Sequence, residues 1–227
     1  MKNLIVLLLM MFCLNSCAQN KAQNPFGLTI INNTTDYEQS IKTNPNNELI
    51  EIKKAIPSII LDIRYATKNN FMKQVMYQQP KAFARKPVVQ QLKVIQAELA
   101  KKGYGLKIFD AYRPYAITIA FYEKASDKNF VANPAKGSKH NRGCAVDLTI
   151  IELKTGKEVP MPTAYDSFEP AAAPHFNELP AEIIKNRDFL IATMHAHGFK
   201  VIYNEWWHFD FNGWQNYDLM DIPFQKL

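Results

Sequence analysis

The stretch Ser138-Lys-His-Asn-Arg-Gly-Cys-Ala-Val-Asp147 places His140 and Asp147 seven positions apart, with a turn of small residues between them. Apolar residues then recur at every second position over residues 143–151, and this period of two predicts a strand. One face of that strand would carry Cys144, Val146, Leu148 and Ile150, and the other face Ala145, Asp147 and Thr149. An unpaired carboxylate in such apolar surroundings is unfavourable. Asp147 therefore needs a partner, and either a metal ion or a buried arginine would serve.

A second stretch, Glu205-Trp-Trp-His-Phe209, carries a carboxylate and a histidine three positions apart. On a flat strand Glu205 and His208 would lie on opposite faces, so both can face one centre only if the backbone bulges or turns between them. Taken alone, this stretch also fits an aromatic core strand with a hydrogen-bonded histidine. Together the two stretches supply two imidazoles and two carboxylates. A catalytic zinc site needs this set: three protein ligands, an open position for water and a carboxylate that moves the proton.

Several motifs resemble those of the VanX-type D-alanyl-D-alanine dipeptidases, which are zinc enzymes of the wider D-Ala-D-Ala peptidase and hedgehog-like group. The two stretches above match as Ser-x-His-x-x-Gly-x-Ala-x-Asp and Glu-Trp-Trp-His. Further matches are Leu61-Asp-Ile-Arg-Tyr-Ala-Thr67 with Asn70-Phe71, Asp110-Ala-Tyr-Arg-Pro114, Val159-Pro-Met161 and Tyr165-Asp-Ser-Phe168. The resemblance runs from about residue 50 to the end of the chain. Cys144 departs from it, since family members often have serine there.

The resemblance implies an enzyme that hydrolyses the dipeptide D-Ala-D-Ala in cell-wall peptide metabolism, with one zinc ion per domain. His140, Asp147 and His208 would be the metal ligands. Glu205 would be the general base and acid, taking a proton from the zinc water and passing it to the leaving amine. Glu205 could instead be a fourth ligand, but four protein ligands close a zinc site, which suits structure better than catalysis.

The same motifs contain the candidates for substrate contacts. Arg113 lies where a strand ends and a helix begins, and its guanidinium could bind a substrate carboxylate or stabilise an oxyanion. The resemblance implies the oxyanion role, while a salt bridge to Asp110 would also explain an arginine at this position. Tyr65, Ser138 and Asp166 match family positions that help hold the dipeptide. An acid such as Asp166 would suit the free ammonium group of the substrate.

The remaining cysteine and histidines of the domain are predicted to be structural. Cys144 is an odd number of residues from Asp147, so on a regular strand it faces the opposite side and is not a ligand. His195 and His197 fall in the last turn of a predicted helix, where a partly charged imidazole favours the helix dipole. His175 follows a proline in an irregular loop.

Two other functions stay open at this stage. One is a D,D-carboxypeptidase that acts on longer wall peptides, and the discriminating feature is whether the cleft is closed beyond the amino end of the substrate. The irregular segments 152–178 and 61–80 are long enough to close it. The other is a non-catalytic, peptidoglycan-binding lipoprotein with a structural zinc, in which Glu205 would be dispensable. Glu205 and Arg113 beside a complete ligand set argue against this binding protein.

Residues 1–17 have the features of a signal peptide. Lys2 supplies the positive end, an apolar run follows, and the stretch ends in Leu14-Asn-Ser-Cys17, which resembles a lipoprotein cleavage box. Cys17 would then be the lipidated first residue of an exported, membrane-anchored lipoprotein on the periplasmic side of a bacterial envelope. An ordinary secretory signal cut near Ala18 is the alternative. Residues 18–47 are rich in Asn, Gln, Thr and Lys, a composition that predicts a flexible polar tether.

The remaining residues, 48–227, are long enough for one domain with a substantial core, the catalytic domain. The pattern predicts an α+β fold, and the resemblance implies a hedgehog-like and D-Ala-D-Ala-peptidase-like domain with a largely antiparallel central sheet flanked by helices. The predicted strands are residues 59–63, 106–109, 143–151, 199–203 and 208–211, and the predicted helices are residues 87–102, 114–124 and 180–197. The formal net charge of the whole chain is +6, without a basic stripe, so nucleic acid is not an expected partner. The expected partners are a small D,D-dipeptide and, through the lipidated N-terminus, a membrane.

Overall fold

The computed structural model describes residues 24–227, so the predicted signal peptide, Cys17 and the first residues of the tether lie outside the described residues. The elements follow in the order β1 (Ile30–Ile31), α1 (Thr34–Thr43), β2 (Leu49–Glu51), α2 (Ile52–Ala55), β3 (Ile60–Leu61), β4 (Phe83–Arg85), α3 (Lys86–Lys101), β5 (Tyr104–Asp110), α4 (Tyr115–Lys124), β6 (Ala145–Glu152), α5 (Ala181–Ala196), β7 (Phe199–Val201), β8 (His208–Phe211) and β9 (Leu219–Met220). Turns and short 3₁₀ helices join them.

The main sheet contains five strands in the order β3-β5-β6-β8-β7. β3 runs parallel to β5, and the other neighbouring pairs of this sheet are antiparallel. Two small pairs lie outside it: β2 with β4, which is antiparallel, and β1 with β9, which is parallel. The predicted class, an α+β domain with a largely antiparallel sheet and helices around it, is confirmed.

β6 is the central strand of the main sheet, and its residues 145–151 are all buried. The predicted alternation is present, since Val146, Leu148 and Ile150 belong to the hydrophobic core. The apolar stripe predicted on α3 is also buried, and its members are Val88, Leu92, Ile95 and Leu99. On the same helix, the Gln96 side chain accepts a hydrogen bond of 2.7 Å from the backbone nitrogen of Leu106, which ties α3 to β5.

The strand register brings three of the motif residues to one end of the sheet. Asp147 on β6 is paired with His208 on β8 and, on its other side, with Asp110 on β5. The register of β5 shifts between Ile108 and Asp110, so one extra residue bends the strand there. This bend precedes Arg113, which is therefore carried on the loop beside the end of β6.

The N-terminal part of the domain differs from the prediction. Residues 24–47 were expected to continue the flexible tether, whereas they contain β1, α1 and a short 3₁₀ helix. The side chain of Asn33 caps α1 by accepting a hydrogen bond from the backbone nitrogen of Asp36. Tyr37 is buried, and its hydroxyl accepts a 2.8 Å hydrogen bond from the backbone nitrogen of Leu49. A few well-placed apolar residues thus order a segment of polar composition.

The predicted helices and strands agree with the structure to within about two residues at each end, whereas several short elements were not predicted. The helices predicted at 87–102, 114–124 and 180–197 are α3, α4 and α5, whereas the strand predicted at 59–63 is reduced to the two residues of β3. β1, β2, β4 and β9 were not predicted, because strands of two or three residues are too short to show a period. No helix in the described part of the chain is long and apolar enough to cross a membrane.

Candidate active site

Three buried side chains from the two motifs converge on one point. His208 Nδ1 lies 3.1 Å from Asp147 Oδ1, His140 Nε2 lies 3.4 Å from the same oxygen, and the two ring nitrogens are 3.2 Å apart. Tetrahedral ligands at zinc-like bond lengths of about 2.0–2.2 Å are separated by roughly 3.3 Å, so the triangle has the dimensions of a zinc site. Asp147 Oδ1 is fully buried and makes no hydrogen bond of acceptable geometry. The residues present therefore fit a metal ion.

The outward-facing atom of each of these three side chains has its own partner. His140 Nδ1 contacts the carbonyl oxygen of Ala111 at 2.6 Å, and His208 Nε2 contacts Asp210 Oδ1 at 2.9 Å. The hydroxyl group of Tyr165 donates to Asp147 Oδ2 at 3.0 Å. Such contacts fix the tautomer and orientation of metal-binding side chains. They leave His140 Nε2, His208 Nδ1 and Asp147 Oδ1 directed at the common centre.

A tight turn connects the first histidine to the strand that carries the aspartate. His140 begins a short 3₁₀ helix, residues 140–142, which ends at Gly143 in a left-handed conformation with φ of 67°. A β-carbon at Gly143 would lie 2.6 Å from Leu49 Cδ2, so a larger residue would be strained here and would also collide with β2. The chain can therefore reverse sharply and enter β6 with both ligand side chains on the same side.

Glu205 lies beside the triangle rather than in it. Its Oε2 is 3.6 Å from His208 Nδ1, and its side chain is 15% exposed. β7 ends at Val201 and β8 begins at His208, and the backbone nitrogen of His208 donates to the Glu205 carbonyl oxygen at 3.4 Å in a turn. This turn between two strands, rather than a bulge within one, lets residues three apart face one centre. Burial raises the pKa of the Glu205 carboxyl group to about 7, a value suited to a general base near neutral pH.

Arg113 forms the salt bridge to Asp110 that was the alternative explanation for an arginine at this position, and it also lines the cleft. Its Nε and Nη2 donate to Asp110 Oδ2 at 3.0 and 2.7 Å, and Asp110 Oδ1 accepts from the Tyr77 hydroxyl at 2.9 Å. The guanidinium carbon lies 4.7 Å from the ring centre of Phe121 and 5.5 Å from that of Tyr65. Among the described residues, no hydrogen bond engages Arg113 Nη1. The salt bridge therefore orients the guanidinium group and leaves one of its nitrogens available.

Asp166 and Tyr65 form a polar pair in the same cleft. The Tyr65 hydroxyl donates to Asp166 Oδ1 at 3.0 Å, whereas Asp166 Oδ2 is buried without a hydrogen-bond partner in the described structure. The backbone of Asp166 is left-handed, with φ of 64°, which is uncommon for a residue other than glycine. Burial, assisted by the charge of Asp147, raises the pKa of Asp166 to about 8. Ser138, the third residue predicted to contact substrate, is buried, and its hydroxyl accepts a 3.2 Å hydrogen bond from the His140 backbone nitrogen.

The cleft that contains these groups has a volume of about 390 Å³. Aromatic rings from separate segments line the side next to Tyr65. The ring centres of Phe71 and Phe168 are 5.7 Å apart, those of Phe130 and Phe168 are 4.8 Å apart, and those of Phe71 and Phe121 are 5.0 Å apart. Long-range packing brings these rings together, so local sequence did not indicate a wall of this kind.

The residues predicted to be structural stay outside the site. Cys144 is buried, and burial raises the pKa of its thiol to about 12, so this thiol is not a reactive group. His197 contacts Thr193 and Glu98, and His195 accepts from the backbone nitrogen of Val201.

No role was predicted for Tyr165 and Asp210, which contact the ligand side chains. Alternation along β8 could have indicated Asp210, which is two residues from His208 and so on the same face.

Comparison with known proteins gives a consistent result. Residues 45–226 match the family described as D-Ala-D-Ala dipeptidase. The D-alanyl-D-alanine dipeptidase of Escherichia coli is 28% identical over 177 residues, covering 78% of this chain and 91% of that protein. The enzyme of the same name from Enterococcus faecium is 28% identical over 171 residues, covering 65% and 83%.

The solved structure of the LdcB LD-carboxypeptidase is a more remote match. It covers 59% of this chain and 61% of its own, at 20% identity and a TM-score of 0.38, and a likeness at this level has no bearing on activity. The family match spans most of the chain and contains every residue of the buried triangle. The protein is therefore a peptidase that belongs to the D-Ala-D-Ala dipeptidase family.

Proposed function

We propose that this protein is a zinc-dependent dipeptidase that hydrolyses D-Ala-D-Ala. The observation that carries the proposal is the triangle of His140, Asp147 and His208 next to Glu205. The names of the relatives supply the substrate class. The sequence of residues 1–17 supports export and anchoring through a lipidated Cys17, and the role of the enzyme would then be in cell-wall peptide metabolism.

The side chains around the triangle have complementary tasks. Zinc held by the three ligands would supply a Lewis acid and lower the pKa of a bound water to about 7. Glu205 accepts a proton from the attacking water and returns it to the leaving amine nitrogen. Arg113, held at one edge by Asp110, presents Nη1 to the oxygen that gains negative charge.

The substrate is oriented by opposite charges. Asp166 Oδ2, buried and without a partner among the described residues, accepts a hydrogen bond from the free ammonium group of the dipeptide. The Tyr65 hydroxyl holds the other oxygen of this carboxylate. An ammonium group here also offsets the unfavourable burial of the carboxylate charge, so substrate and site stabilise each other.

The aromatic wall favours a dipeptide over a longer peptide. Phe71 and Phe168 line the same cleft as Asp166, and the ring centre of Phe71 is 6.2 Å from that of Tyr65, whose hydroxyl holds the Asp166 carboxylate. A longer substrate would have to extend its chain through this wall. The D,D-carboxypeptidase alternative requires open space there, and the arrangement of the rings favours the dipeptidase.

The deciding experiment is a substrate panel with the purified domain. D-Ala-D-Ala and other D,D-dipeptides are compared with wall pentapeptides that end in D-Ala-D-Ala, each with and without a zinc chelator. We expect rapid chelator-sensitive hydrolysis of the dipeptides and little release of D-Ala from pentapeptides. Preferential cleavage of pentapeptides would favour the carboxypeptidase, and the absence of any hydrolysis by zinc-loaded protein would favour the binding protein.

Localisation is tested separately. In cells, the full chain should partition with the membrane fraction, and Cys17→Ser should abolish both this partitioning and the incorporation of labelled fatty acid. Unchanged membrane association of Cys17→Ser would reject the lipid anchor without affecting the proposed activity.

A further inference from the structure

We propose that Asp210, held in place by Lys139, is a positioning residue that fixes His208 with Nδ1 toward the metal and Nε2 away from it. The proposal rests on the proposed metal ligands. It assigns a joint task to Lys139, a residue of the first motif to which no role was given above, and to Asp210, which directly follows the second motif.

The contacts form a continuous chain from the surface to the ligand. His208 Nε2 lies 2.9 Å from Asp210 Oδ1, and Lys139 Nζ lies 3.3 Å from Asp210 Oδ2. Lys139 Nζ also lies 5.3 Å from the ring centre of Trp214, within the range of a cation–π contact. The Asp210 side chain is only 14% exposed, so its contact with the imidazole is shielded from competing water.

The two candidate ligand histidines differ in the group that holds the ring nitrogen facing away from the metal position. A backbone carbonyl oxygen, which cannot move independently of the fold, holds His140 at Nδ1. His208 depends on a side-chain carboxylate, and Nδ1 can bind a metal only if the ring proton stays on Nε2. A carboxylate at Nε2 favours that tautomer and makes Nδ1 a stronger ligand. A carboxylate with rotational freedom does this well only if its second oxygen is also held, as Lys139 holds it here.

The ion pair between Lys139 and Asp210 has a second effect, which follows from where the two residues lie in the chain. Lys139 immediately precedes the ligand His140, and Asp210 follows the ligand His208 by two residues. The two ligands are 68 positions apart in the chain. The ion pair therefore joins the two segments that carry the histidines, close to the metal position. Loss of either partner should loosen the geometry of His208 without removing any metal ligand.

The test measures metal binding directly, in the absence of substrate. Zinc affinity is determined by competition with a chelator for the wild type, Asp210→Ala, Asp210→Asn, Lys139→Met and the double variant Lys139→Met/Asp210→Ala. Asp188→Asn is the matched control, because Asp188 lines the same surface groove as Asp210 and carries the same charge but contacts Arg187 instead of a ligand. The visible spectrum of the Co²⁺-loaded protein reports the ligand geometry at saturating metal.

We expect Asp210→Ala to lower zinc affinity on the order of 10–100-fold and to change the Co²⁺ spectrum, with Asp210→Asn intermediate. Lys139→Met should lower the affinity less, and its effect should disappear in the Asp210→Ala background, because Lys139 acts through Asp210. Asp188→Asn should match the wild type. Wild-type affinity and spectrum in Asp210→Ala, or an undiminished Lys139→Met effect in the double variant, would overturn the proposal.

Two features keep the result interpretable. If Asp210→Ala fails to fold, Asp210→Asn and Lys139→Met still test the same contacts, and a wild-type spectrum in both would reject the proposal. Since zinc binding is measured without substrate, a protein that holds zinc but does not cleave D-Ala-D-Ala would contradict the proposed function alone.

Discussion

Asp147 and His208 are directly paired residues on neighbouring antiparallel strands, and Asp147 Oδ1 lies 3.1 Å from His208 Nδ1. Two of the three candidate metal ligands are thus placed by the register of β6 and β8. A slip of one residue would move either side chain to the other face of the sheet and destroy the site. Only His140 depends on a turn, and Gly143 shapes that turn.

The ligand set predicts which substitutions remove the metal. His140→Ala and His208→Ala should each lose zinc, because two protein ligands bind it much more weakly than three. Cys144→Ser is the control, since the thiol is close in sequence and buried but lies outside the triangle. Metal analysis after gel filtration measures the zinc content. A full complement of zinc in either alanine variant, or a large loss in Cys144→Ser, would mean that the ligands are misassigned.

Glu205→Gln separates catalysis from binding. The amide keeps the shape of the side chain but cannot accept a proton, so turnover of D-Ala-D-Ala should fall by at least ~10²-fold. The variant should still fold, hold zinc and bind the dipeptide. Steady-state kinetics and zinc analysis are run on the same preparation. Near-wild-type turnover would reject the mechanism, and loss of zinc would make Glu205 a ligand.

Arg113→Ala should lower kcat on the order of 10²–10³-fold through loss of oxyanion stabilisation. Arg113→Lys is the informative partner variant, because an ammonium group retains the charge but cannot contact Asp110 and the substrate with separate fixed nitrogens. We expect little recovery in the lysine variant. A rise in KM at unchanged kcat in both would instead assign the guanidinium to ground-state binding of the substrate.

Asp166→Asn should weaken dipeptide binding about 10–100-fold, the range expected for a lost hydrogen bond between charged groups. The comparison substrate is the dipeptide with a blocked amino group, which lacks the ammonium group. The wild type should discriminate strongly against the blocked dipeptide, and Asp166→Asn should discriminate much less. Equal discrimination by the two proteins would place the ammonium site elsewhere.

The raised pKa of Asp166 predicts that the stability of the metal-free protein depends on pH. Burial raises the pKa of Asp166 from 3.8 to about 8; the charges of Asp147 and Glu205 also raise it, and the Tyr65 hydrogen bond and Arg113 lower it. A carboxyl group with a raised pKa in the folded state binds more protons folded than unfolded, so its contribution to stability falls as pH rises from about 4 through about 8. Asp166→Asn should therefore gain stability relative to the wild type across that window. Thermal unfolding in chelator at several pH values measures the difference in stability between Asp166→Asn and the wild type. A difference that does not change with pH would contradict the raised pKa.

Much of the site could be predicted from the chain because its residues sit in short, regular patterns. The period of two around Asp147 and the parity of Glu205 and His208 are local properties, and they indicated a strand and a turn. The apolar stripe of α3 is equally local. The α+β class followed from the succession of such elements, since each apolar face must be buried against another.

Long-range packing decided the rest. The register that pairs Asp147 with His208, the ion pair of Asp210 with Lys139 and the aromatic wall in the cleft of Asp166 all bring together segments that are far apart in the sequence. The ordered segment around Tyr37 escaped prediction for the same reason, because its few apolar residues are stabilised by contacts such as the hydrogen bond with Leu49 rather than by local pattern. Chemistry-bearing residues were thus recognisable from local sequence, whereas their distances and partners depended on which surfaces the fold buries against each other.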